Sequence, residues 1–78
     1  MEFFKKRVRN FQENKLNEIL DKIKFHTYMK NQLEKKIDGM EFDKTTKIRE
    51  EIAFNEKMIE VWQRNEEKLR RQMSEMEE

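Results

Sequence analysis

Apolar residues recur along this chain at alternating steps of three and four. In the first half the seam runs Leu16, Ile19, Ile23, His26, Lys30, Leu33, Ile37 and Met40. After a break it resumes as Ile48, Ile52, Asn55, Ile59, Trp62, Glu66, Leu69, Met73 and Met76. A mean step of about 3.5 residues is the signature of helices packed along a narrow seam, as in a coiled coil. Upstream of Leu16 the pattern slips. Phe4, Val8 and Phe11 are spaced correctly among themselves but join Leu16 by a step of five, which predicts a change of winding or a repacked end.

The chain has one Gly and no Pro, so punctuation is almost confined to Asp38-Gly39-Met40-Glu41-Phe42-Asp43. Gly39 suits the left-handed position that ends a helix, after Lys35 and Lys36 in a last turn that favours cations. Asp43 is the expected cap of the next helix, with Phe42 just outside it. Thr45 and Thr46 are β-branched and also favour a helix start. The expected elements are a helix over about 3–37, a turn over about 38–43 and a helix over about 44–76, in one domain.

Arms of roughly 34 residues would each be about 50 Å long, and equal arms joined by a short turn imply an antiparallel hairpin. Folding the seam about position 40–41 sets Leu33 against Ile48, Lys30 against Ile52 and Ile23 against Ile59. It also sets Ile19 against Trp62 and Gln12 against Leu69. His26 and Asn55, the polar members of the two seams, fall opposite each other without having set the register.

The apolar face is wider than one seam. Phe54, Met58 and Val61 widen the second arm on one side. Phe25 and Met29 widen the first on one side, Leu16 and Leu20 on the other, and Phe3 and Tyr28 lie further round. This exceeds the roughly 100° stripe of a helix with one covered side. The expected fold is therefore all-α, an antiparallel coiled-coil hairpin that forms a homodimer as a four-helix bundle.

Composition supports the need for a partner. With 78 residues, 35% apolar and 45% charged, one core contributes only a few kcal/mol, about 3–5 at best. The absence of Cys removes disulfides and thiolate zinc as staples. No apolar run of about 18 residues is present to span a membrane, and no signal-like apolar segment opens the chain; the expected location is cytoplasmic. Net charge is only +1. Residues 1–36 carry ten cations against five anions and residues 37–78 eight against twelve, opposite signs that suit pairing of the halves.

Candidate chemistry is sparse. His26 and Lys30 stand one turn apart on the apolar face, with Asn55 across the seam. They form either a polar layer that fixes register or a site for an anionic small ligand, with His26 as a pH-sensitive group. A single His without Cys gives no transition-metal site, and no segment has calcium-loop spacing. The one Ser, Ser74, has no oriented base and the lone Gly makes no phosphate loop. No catalytic residue, metal or cofactor is expected, and the chain is not read as an enzyme.

At the N-terminus, Lys5, Lys6, Arg7 and Arg9 are mixed with the aromatics Phe3, Phe4 and Phe11, and the hairpin brings Arg70 and Arg71 to the same end. This patch suits nucleic acid or an anionic surface. Against it, Phe4, Val8 and Phe11 can be core, with the cations offset by Glu66, Glu67, Glu75, Glu77 and Glu78. Trp62 is expected in the core, its indole N–H needing a partner. Met58, Met73 and Met76 make either an adaptable surface or filler for a loose end. The favoured function is a protein-binding module, a small helical adaptor, scaffold or inhibitor of bacterial or phage type, with Phe25, Tyr28, Phe54 and Val61 as its contact residues. Nucleic-acid binding through the basic end is the alternative.

Overall fold

A computed structural model describes residues 2–77 and consists of two long helices packed against each other in a hairpin. Helix α1 spans Glu2–Ile37, a short 3-10 turn spans Phe42–Lys44, and helix α2 spans Thr46–Glu77. No strand occurs among the described residues. The molecule is a rod of 62 × 14 × 13 Å. Glu77 and Glu78, expected to offset the basic end, lie outside the side chains described.

Both helices run without Gly or Pro for more than thirty residues, so nothing in their interiors breaks the hydrogen-bond ladder. Charge pairs one turn apart add small increments. Arg70 donates to Glu66 at 2.8 Å, and Lys30 lies 3.7 Å from Glu34. Each is worth about 0.2–0.5 kcal/mol on an exposed face.

Helix α1 stops at Gly39, whose φ of +90° is the left-handed conformation that side chains with a Cβ disfavour. The N–H of Met40 then donates back to the Ile37 carbonyl at 3.0 Å, satisfying one of the helix's last acceptors. The expected cap, Asp43, is not the cap. It sits within the 3-10 turn, and the first α2 bond runs from the Arg49 N–H to the Thr45 carbonyl at 2.8 Å.

Thr45 takes that position, immediately before α2. Only 4% exposed, it donates its hydroxyl to the Phe42 carbonyl at 2.6 Å. It also accepts from Arg49 Nε at 2.9 Å. The Arg49 guanidinium covers the Phe42 ring at 4.2 Å, a cation–π contact that ties the turn to the first turn of α2.

The seam keeps its 3-4 spacing in the folded chain. Val8, Gln12, Leu16, Ile19, Ile23, His26, Lys30, Leu33 and Ile37 are the inward positions of α1. Thr45 just before α2, then Ile48, Ile52, Asn55, Ile59, Trp62, Glu66, Leu69 and Met73 within it, face them. Met40 and Met76, predicted as the seam's outer members, are instead exposed. The predicted step of five is replaced by two steps of four, Val8 to Gln12 to Leu16. The seam passes through a glutamine and leaves Phe11 outside, 68% exposed, with Phe4 at 70%. The expectation that Phe4 and Phe11 are core therefore fails within the hairpin, because two successive steps of four rotate the stripe away from them.

Candidate functional site

A two-helix rod has one narrow interface, and this one buries little. Ile19, 4% exposed, is the single buried apolar side chain among the described residues. Ten large apolar side chains among them remain exposed. Their distribution defines the candidate site.

Phe4, Phe11 and Phe25 follow one another at seven and fourteen residues, so they share a stripe on α1; Phe54, Val61 and Lys68 do the same at steps of seven on α2. The two stripes lie on the same side of the hairpin. Phe25, Met29 and Leu33 of α1 line a hollow together with Lys47, Glu50, Glu51 and Phe54 of α2. Further from the turn, Phe11, Lys15 and Ile19 share a second hollow with Trp62, Asn65, Lys68 and Leu69. Each hollow has a volume of about 440 Å³. A third, smaller one lies among Phe4, Arg7, Val8 and Phe11. One face of the rod thus carries an interrupted apolar stripe along most of its length.

Of the predicted contact residues, Phe25 and Phe54 flank this face at 55% and 59% exposure. Val61 continues it at a more sheltered position. Tyr28 is exposed but is not among the residues lining the Phe25–Phe54 hollow. Three residues after Phe25, its position is rotated toward the outer side of α1.

His26 and Asn55 meet at the seam beneath this hollow. The Asn55 amide Nδ2 donates to the Glu51 carbonyl at 2.9 Å, which commits its Oδ1 as an acceptor. His26 Nδ1, 2.9 Å from that oxygen, is therefore the donor, and in the neutral ring Nε2 carries the lone pair. The rings of Phe25 and Phe54 approach the imidazole edge-on at 5.2 and 6.4 Å between centroids. Lys30 does not join this layer. It lies 3.7 Å from Glu34 and 3.5 Å from Glu56, so its charge is already answered.

The basic residues separate at the open end. Lys5, Lys6 and Arg9 line a cavity of about 430 Å³ with Asn10, Gln12, Met73 and Met76. Arg7 instead stands over the Phe3 ring at 5.9 Å. Arg70 is bound to Glu66, and Arg71 is exposed on α2. Gln12 Nε2 donates to the Met76 sulfur at 3.4 Å, a weak bond at the level where the seam turns polar.

Trp62 is half-buried on the seam, and its indole N–H is buried with no hydrogen-bond partner among the described residues. Sequence reasoning missed the Thr45–Arg49–Phe42 arrangement at the turn. Its one legible signal was the two threonines before the second seam. Among the described residues no three His, Cys, Asp or Glu side chains converge as metal ligands, and no helix is long and apolar enough to cross a membrane. No protein-family model, curated protein or solved structure matches this chain.

Proposed function

We propose that this chain is a non-enzymatic protein-interaction module: a coiled-coil hairpin that acts by presenting the face marked by Phe25, Phe54 and Val61 to another protein surface. The observation that carries this reading is that Phe4, Phe11, Phe25, Phe54 and Val61 stand exposed along one face, whereas Ile19 alone is a buried apolar side chain among the described residues. Exposed apolar side chains aligned on one face, with charged residues beside them, are the mark of an interaction surface.

The total surface points the same way. The hairpin exposes 6783 Å², where a compact monomer of this size exposes about 5,200 Å². The excess, roughly 1,600 Å², exceeds the roughly 800 Å² that each partner contributes to a standard interface. Self-association into a four-helix bundle is the simplest way to cover it, and the module then works as a small adaptor, scaffold or inhibitor through its remaining surface.

The test is thermal unfolding followed by circular dichroism across a hundredfold range of concentration, with light scattering for mass. A covered face predicts a midpoint that rises with concentration, and Phe25→Asp with Phe54→Asp abolishes the rise. A monomer whose midpoint is independent of concentration rules out self-association as the source of stability.

The convergence of Lys5, Lys6 and Arg9 on one cavity supports a second reading, nucleic-acid binding at the open end. That reading predicts affinity that falls steeply between about 50 and 200 mM salt and is lost in Lys5→Ala with Lys6→Ala. Nucleic-acid affinity that survives both the salt and the two substitutions would rule it out.

A further inference from the structure

We infer that the occupant of the apolar face is a second copy of this chain stacked antiparallel to the first, with its two-fold axis at the level of Lys22 and Ile59. This rests on the self-association reading above and adds to it a geometry. The His26–Asn55 bond fixes which residues of the two helices share a level, and by that register Lys22 and Ile59 stand side by side. The two larger hollows lie on either side of this level, one toward the turn and one toward the open end.

Their rims differ in sign. The hollow near the turn carries Glu50 and Glu51 besides Lys47, while the hollow near the open end carries Lys15 and Lys68 and no acid. On α2, Glu51 precedes Ile59 by eight residues and Lys68 follows it by nine. These are displacements of about 12–13 Å in opposite directions. A two-fold axis across the rod at that level brings Glu51 of each copy onto Lys68 of the other, twice in one interface.

The same operation matches shape. Phe11 lies eleven residues before Lys22 and Leu33 eleven after it. Each exposed Phe11 therefore arrives at the level of Leu33 in the other copy, where the turn-side hollow stands open between Phe25, Met29 and Phe54. The ring that steps of four exclude from its own seam fills a gap in its copy. Copies stacked in the same direction would instead set α1 over α2 at equal levels, laying Lys15 over Lys68 and Phe25 over Phe54. That leaves both basic rims together.

Lys22 stands at the axis, beside its own symmetry mate, which makes it the position that reports the geometry. The chain has no Cys, so an introduced thiol reacts only with its copy. Under a mild oxidant, Lys22→Cys should crosslink to a disulfide dimer nearly completely, whereas Lys24→Cys, on the outer side of α1, should not. Glu51→Lys should weaken dimerisation at least threefold, and Glu51→Lys with Lys68→Glu should restore it. A dimer by light scattering in which Lys22→Cys fails to crosslink overturns the antiparallel geometry and leaves self-association standing. A monomer at tens of micromolar overturns both, and the face then belongs to a different protein.

Discussion

The half of the rod beside the turn and the half at its open end are built from the same residue types at nearly the same spacing, yet they are held very differently. Near the turn, Thr45, Arg49 and Phe42 lock the connection. His26 bonds to Asn55 across the seam, and Lys30 pairs with Glu56. At the open end Gln12 reaches across to the Met76 sulfur, a weak acceptor, and Phe3, Phe4 and Phe11 stand in solvent. Ile19, the one buried apolar side chain among the described residues, lies between the two halves. A 3-4 seam aligns two helices, but the residues at its positions decide whether the alignment is firm.

The largest effect should come from Ile19→Ala, which removes the join between the halves. Loss of a buried Ile to Ala costs about 2–5 kcal/mol, comparable with the whole stability of a chain this small. Loss of most helical circular dichroism at 25 °C is expected; a melting point within a few degrees of the parent would mean that Ile19 is not the join.

Next comes the polar layer. Asn55→Ala strands the His26 N–H at the seam and costs about 1–3 kcal/mol. His26→Leu with Asn55→Leu removes both polar groups together and should recover that loss in full. A double variant no more stable than Asn55→Ala would show that the layer holds the helices by something other than mutual satisfaction.

Thr45→Ala follows, at about 0.5–1.5 kcal/mol for the hydroxyl's lost bonds to the Phe42 carbonyl and Arg49. If the turn is a local lock, urea midpoints should fall while hydrogen exchange at the open end stays as fast as before. Equal loss of protection at both ends would make the two halves one cooperative unit.

Much of this arrangement was legible in the chain. The 3-4 steps and the single Gly placed two helices and their turn, and the register that set His26 opposite Asn55 agrees with their bond. The cap was misplaced because Asp43 and Thr45 are both good cap residues. The choice depended on a 3-10 turn that buries the threonine. The open end was misread for a related reason. Phe11 looked like core by hydrophobicity, whereas the inward position belongs to Gln12, and hydrophobic spacing alone does not find a polar seam residue. The shared face of Phe25 and Phe54 follows from spacing alone: each stands one residue before a member of the His26–Asn55 pair, and antiparallel helices set equivalent flanks of their seams on one side.

The smallest predicted effect sharpens the comparison most. Gln12→Leu continues the apolar seam through its polar step without altering any residue of the turn half. Gln12 is half-buried and its bond is to a sulfur, a weak acceptor, so little is lost with the amide. Burying part of a leucine there contributes up to about 1 kcal/mol. Global stability should therefore rise only slightly, while amide exchange over residues 4–16 and 66–76 slows several-fold and that around His26 and Asn55 does not change. Slower exchange at the open end alone would show that the end is loose because its seam is polar. Unchanged exchange there would place the cause in the two steps of four, which turn α1's stripe away from α2 whatever residue occupies position 12.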